Sequence, residues 1–239
     1  MSNEQPSQEK KKLSSAFADA SGYVEYFETL GKDRIPDNVH LDAVYVFTLT
    51  ADAQHEATEV AVKLYKDGRA GKIIVNNATT ETGYAGVAFV RKLLAEAGIP
   101  TEDIVEITTT INLTTKTETD PLMEYCVSHG ITNLAVASAP FHYRRAYVSS
   151  VTTAIDKGLG DSLNIWPAKF LPKNYDWREI TRHSQGTLKK KKIGLVDTEI
   201  ERMDTYAINE AHVPDGTLKP WVEIKAYMQA RDRRVKEAS

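Results

Sequence analysis

Short runs of β-branched and aliphatic residues alternate with amphipathic stretches through the middle of the chain. The runs are Ala43–Phe47, Lys72–Val75, Ile104–Ile107, Leu134–Ala137 and Leu163–Trp166. The first, second and fourth are apolar almost throughout, as strands covered on both faces are. Between the runs the period becomes helical. Ala57, Val60, Ala61, Leu64 and Tyr65 make one stripe, and Val87, Val90, Leu93, Leu94 and Ala97 a second. Leu122, Met123, Cys126 and Val127 make a third, and Tyr147, Val151, Ala154 and Ile155 a fourth. Each stripe stops at a glycine (Gly68, Gly98, Gly130, Gly158), a residue that closes a helix in the left-handed conformation at little cost. Four strand–helix–glycine units in succession predict right-handed crossovers. They predict a Rossmann-like three-layer α/β/α sandwich on a mainly parallel five-stranded sheet.

The flanks read as helical. An opening helix is expected from about Ser14 to Leu30. Near the end, Val196, Ile200, Met203 and Ala207 form one stripe and Trp221, Ile224 and Met228 another. The pattern predicts a disordered tail over 1–12 and a single domain over 13–239. Its core covers about 40–170, and a C-terminal helical extension about 175–235.

Composition narrows the partners. Over 239 residues the net charge is −3, with 41% hydrophobic and 26% charged residues, so the chain is built to fold and carries no basic excess for a nucleic acid. The lone Cys126 excludes an intramolecular disulfide framework and a thiolate zinc cluster. The start, MSNEQPSQEKKK, has no apolar segment, and no stretch reaches the ~20 apolar residues of a membrane span, so a cytoplasmic protein without membrane insertion is expected.

In an open parallel sheet, ligands bind beyond the carboxyl ends of the strands. The loops at those positions are rich in hydroxyl, amide and charged groups. Thr48 follows the first strand, Asn76 and Asn77 the second, Thr117 and Glu118 lie after the third, and Ser138 follows the fourth. Thr117 and Asp120 also suit the plain role of helix caps. The segment Phe141-His142-Tyr143-Arg144-Arg145 opens a helix, where free N–H groups and the dipole already favour an anion. His142 adds a titratable group, and Arg144 and Arg145 add fixed charge. His183 and Gln185 are candidates to extend the pocket, whereas Lys189–Lys192 reads as a solvated run. His55 and Glu59 stand one turn apart without a third ligand, so no metal set is assigned. Cys126 falls on an apolar helix face, which fits a buried thiol.

The stretch Ser138–Ala146 resembles the aromatic-His-x-x-Arg-Ala motif of the DUF218 family (the YdcF, SanA and ElyC-like proteins). Asp42-Ala43-Val44, Ala61–Gly68, Leu94–Pro100 and Thr117–Asp120 resemble other pieces of that family in the same order, so the resemblance covers about 40–170. Thr48-Leu49-Thr50 stands where the family has a glycine pair, and Asn76-Asn77 where it has Ser-Gly-Gly. The resemblance implies a small anionic or nucleotide-like ligand, S-adenosylmethionine-like among them. Thr48, Asn76, Asn77, Thr117, Ser138, Arg144 and Arg145 would bind it. For an enzyme, His142 would serve as general acid/base and Arg145 would hold a negative group, with Glu118 orienting one of the two. A non-catalytic ligand-binding or scaffold protein that kept the fold is the alternative, and self-association is left open.

Overall fold

The computed structural model describes residues 20–80, 83–109, 113–183, 186–208 and 218–238, with side chains described from Val24 onward and not over 204–208. The expected tail over 1–12, the start of the opening helix and Gln185 lie outside the described residues.

Helix α1 (Ala20–Lys32) leads into β1 (Leu41–Val46), then α2 (Ala51–Lys66), β2 (Ala70–Asn76), α3 (Val87–Glu96), β3 (Ile104–Ile107), α4 (Thr119–Ser128), β4 (Asn133–Ala137), α5 (Tyr143–Asp156) and β5 (Asn164–Ala168). The five strands form one parallel sheet in the order β3-β2-β1-β4-β5. This is the three-layer α/β sandwich that the alternating pattern predicts. The helix stops fall where the glycines stand, with Gly68 at φ +68° after α2 and Gly158 at φ +72° after α5.

Alternation along β1 sorts the core into two halves. Ala43, Tyr45 and Phe47 face one layer with Leu122, Met123, Cys126, Tyr147 and Val151 of α4 and α5. Val44 and Val46 face the other with Ala57, Val60, Leu64, Val90 and Leu94 of α2 and α3. Asp42 fixes the neighbouring strand β4 at its start, accepting from the Thr132 and Asn133 amides at 2.7 and 2.9 Å.

The C-terminal region differs from its helical expectation. It opens with an antiparallel hairpin, β6 (Ile180–His183) and β7 (Leu188–Lys191), before α6 (Lys192–Ile208) and α7 (Trp221–Glu237). In β6 the buried positions are Thr181 and His183 and the exposed ones Ile180 and Arg182, so the strand period is carried by polar residues and gives no hydropathy signal. Within the lysine run, Lys189–Lys191 are exposed as expected. Lys192 is buried, paired with Glu56 and Glu179, with its ammonium 4.6 Å from the Tyr175 ring centre.

Helix α7 covers the outer edge of β5. The Tyr227 hydroxyl accepts from the Ile165 amide and donates to the Leu163 carbonyl, both at 2.7 Å. Arg231, with 0% of its side chain exposed, donates to the Ile165 carbonyl at 2.9 Å, to Asp33 at 2.7 Å and to the Tyr147 hydroxyl at 3.1 Å. Its guanidinium also lies 3.7 Å from the Trp166 ring centre. Among the described residues no helix is long and apolar enough to cross a membrane.

Candidate functional site

The chain runs from β1 to β2 on one side and later places β4 on the other, so the crevice between β1 and β4 is the switch point of the sheet. A cleft of about 240 Å³ opens there, lined by Thr48 and Thr50 after β1, Thr115 before α4, His142 and Arg145 at the start of α5, His183 of the hairpin and Arg202 of α6.

The floor is organised by one buried carboxylate, Glu199 on α6. Arg145 donates to it through Nε at 2.7 Å and through a terminal nitrogen at 3.2 Å. His142 Nδ1 makes a short hydrogen bond to the same oxygen as Arg145 Nε, and His183 Nε2 meets the other oxygen at 2.6 Å. Arg202 stands 3.5 Å away, and Arg145 also reaches the Thr115 hydroxyl at 2.6 Å.

Burial alone would push the Glu199 carboxyl up. The Arg145 guanidinium and the imidazole hydrogen bonds outweigh burial and hold it well below the usual carboxylate range. An ionised carboxylate only accepts, so both imidazoles donate: His142 carries its proton on Nδ1 and His183 on Nε2. Burial, reinforced by Arg145, lowers His142 to about 4 against the pull of Glu199, and burial lowers His183 as well. His142 is therefore neutral at physiological pH, and Nε2 is the ring atom that Glu199 does not engage. Two guanidiniums, those of Arg145 and Arg202, thus stand at this one carboxylate.

The sequence-nominated residues divide. His142, Arg145 and Thr48 line the cleft, as does His183. Glu118 lies behind the wall, fully buried, accepting from the Tyr45 hydroxyl at 2.8 Å and the Thr48 amide at 3.1 Å. It holds the loop after β1 and does not touch His142. Thr117 braces the same region, its hydroxyl accepting from the Thr114 amide at 2.8 Å. Asn76 is buried against Thr109 at 2.7 Å, and Asn77 is exposed with its amide bonded to the Ile107 carbonyl. Ser138 and Arg144 line a different cavity. His55 packs edge-on to Phe89, and Glu59 accepts from the Lys173 amide at 3.0 Å, so the two do not form a metal pair.

Glu199 is the residue that the sequence reading missed. Its only signal is a carboxylate at the i+4 position between Leu195 and Met203, on the buried stripe of a helix. Donor atoms of His142, His183 and Glu199 lie within 4.8 Å of one another, which makes them the group able to hold a metal ion among the described residues. Two neutral imidazoles and a carboxylate suit zinc. Arg145 opposes it, because its guanidinium already occupies both Glu199 oxygens.

Glu118 gives the protein an alkaline-side weakness. Burial raises its carboxyl from 4.5 to about 8 against the bonds from Tyr45 and Thr48. The folded state thus keeps a proton that the unfolded chain releases near 4.5. Stability from this group is full at low pH and is lost as pH rises toward 8, by up to about 1.4 kcal/mol per unit. His142 and His183, both depressed, act in the opposite sense below about 6.5: the unfolded chain takes up protons there that the folded protein refuses. Above 6.5 the carboxyl effect stands with little opposition. Melting temperature should therefore fall between pH 6.5 and 8, and Glu118→Gln should flatten that fall. An equally steep fall in the variant would refute the assignment.

Fold and cleft together define a Rossmann-like α/β protein with a polar cleft, lined by two arginines and two histidines, at the switch point of its sheet. No model of a known protein family matches the chain, and no curated protein matches it.

Proposed function

We propose that this cleft binds a small anionic or nucleotide-like molecule, as the DUF218 resemblance of Ser138–Ala146 implies. The observation that carries the reading is the cluster of Arg145, Arg202, His142 and His183 around Glu199, facing a cleft where α2 and α5 begin. Neither Thr50 nor His142, the residues preceding these helices, caps its helix through the side chain, and in the first turn of α2 the Ala53 amide is bonded to the Thr50 carbonyl, so an anion would meet the helix starts without competition from a cap side chain. About 240 Å³ lies below the roughly 300–1,000 Å³ of drug-sized sites, which favours a phosphate or carboxylate with a small attached group.

As an enzyme, the protein would use His142 Nε2 to accept a proton from the bound molecule, with Glu199 fixing the tautomer and Arg145 steadying Glu199. Glu118 would act as a positioning residue, through the Thr48 amide. A second reading, a non-catalytic binding protein, is favoured by one observation: a histidine held near 4 is a weak base at neutral pH.

Thermal-shift titration of wild type and His142→Ala with inorganic phosphate, nucleotides, sugar phosphates, S-adenosylmethionine and zinc tests the site. A ligand at 100 times its dissociation constant adds about 2.7 kcal/mol, or roughly 5–10 °C for a domain of this size. An anion-induced shift in wild type that is lost in the variant is the expected result. An unshifted wild type, or an equal shift in both proteins, would sink the reading. A response to zinc alone would transfer the site to the metal.

A further inference from the structure

Arg144 and Arg145 are neighbours in sequence, but each residue of an α-helix turns the side-chain direction by about 100°. The two guanidiniums serve different cavities that share no lining residue. Arg144 lies 4.9 Å from the Phe27 ring centre and 4.8 Å from that of Tyr143. Together with Ser138, Pro140, Tyr143, Lys169 and Trp177 it lines a second cavity of about 200 Å³ beyond the ends of β4 and β5.

We propose that this cavity binds a small aromatic carboxylate, with the ring between the apolar walls and the carboxylate on Arg144 and Ser138. The first support is an imbalance of hydrogen bonds. The Ser138 hydroxyl and Arg144 Nε are both buried, and neither has a partner in the structure. A buried donor left unpaired is destabilising, and as both residues line this cavity, an acceptor group that seats against them would relieve the imbalance.

Charge is the second support. Lys169 sits on the same wall, its ammonium donating to the Leu30 and Gly31 carbonyls at 2.7 Å each. Burial, with Arg144 and Arg34 adding to it, lowers the Lys169 ammonium against the pull of Asp33, as expected where cations crowd. Asp33 itself is engaged by Arg231 at 2.7 Å. The third support is shape. Pro140, Ala168, Phe170 and Trp177 supply flat apolar walls, and the volume suits a single ring.

Isothermal titration of the full chain with benzoate tests the proposal. Benzyl alcohol serves as the ring without charge and inorganic phosphate as the charge without a ring. One-to-one binding of benzoate is expected, with benzyl alcohol weaker by roughly tenfold, the loss of one charge-assisted contact. Phosphate should not compete with benzoate. Arg144→Gln should weaken benzoate about tenfold, and Ser138→Ala several-fold. Because the Ser138 hydroxyl has no protein partner, Ser138→Ala should fold with an unchanged or higher melting temperature. Arg202→Gln, which alters only the first cleft, should leave benzoate affinity within about twofold. Absence of saturable benzoate binding by wild type would overturn the proposal, as would undiminished binding by both folded variants. Competition by phosphate would reassign the ligand to the first cleft, whose own titration is read separately.

Discussion

Glu199→Ala is expected to destabilise the protein by about 3–5 kcal/mol, read from urea unfolding midpoints. The carboxylate is buried and is the shared acceptor for Arg145, His142 and His183. Its removal leaves a guanidinium with only 7% of its side chain exposed and two imidazole N–H groups without that acceptor. A loss of this kind is the penalty of a buried charge deprived of its carboxylate, larger than the worth of the pair itself. Glu199→Gln keeps one acceptor oxygen and should fall between wild type and alanine. Arg202 approaches the same carboxylate at 3.5 Å with 26% of its side chain exposed, so Arg202→Ala should cost less than about 1 kcal/mol. If Glu199→Ala proves as mild as Arg202→Ala, Glu199 does not organise the floor of the cleft.

The second large effect is expected at the far side of the sheet. Arg231→Met should also lose about 3–5 kcal/mol, because it strands the Asp33 carboxylate and frees the Tyr147 hydroxyl and Ile165 carbonyl. Burial already raises the Asp33 carboxyl against the pull of Arg231. Without Arg231 it would rise further, so the folded variant would hold a proton that the unfolded chain releases. Stability of Arg231→Met should therefore decline as pH increases, and the deficit should be smaller at pH 5 than at pH 8. Adding Asp33→Asn removes the stranded charge and should recover most of the loss at pH 8. No recovery in the double variant would place the cost in packing against Trp166.

The parallel sheet was legible because its strands are continuous apolar runs and its helices stop at glycines, signals local to each segment. The hairpin was not, since in Ile180-Thr181-Arg182-His183 the buried positions are polar. The cleft was half legible. His142, Arg145 and Thr48 stand at loop positions that the topology assigns to ligands. Glu199 is 57 residues from His142, and only tertiary packing of α6 brings it there. Glu118, nominated beside His142, is instead spent on the Tyr45 hydroxyl and the Thr48 amide. Arg144 and Arg145, one residue apart, look equivalent in a sequence and are separated only by helical phase.

The covering of β5 by α7 also bears on how copies of this chain can meet. An edge strand exposes a row of unpaired amides and carbonyls, which templates the addition of another strand. On β5 that row is closed, as Ile165 has its amide taken by Tyr227 and its carbonyl by Arg231. Two residues on, in the same outward phase, Pro167 has no amide to offer. Growth of the sheet across this edge is blocked by the chain's own last helix. Addition of a strand to the five-stranded sheet is thereby left to the β3 side, where Glu106 and its partner Arg91 place paired charges along the margin.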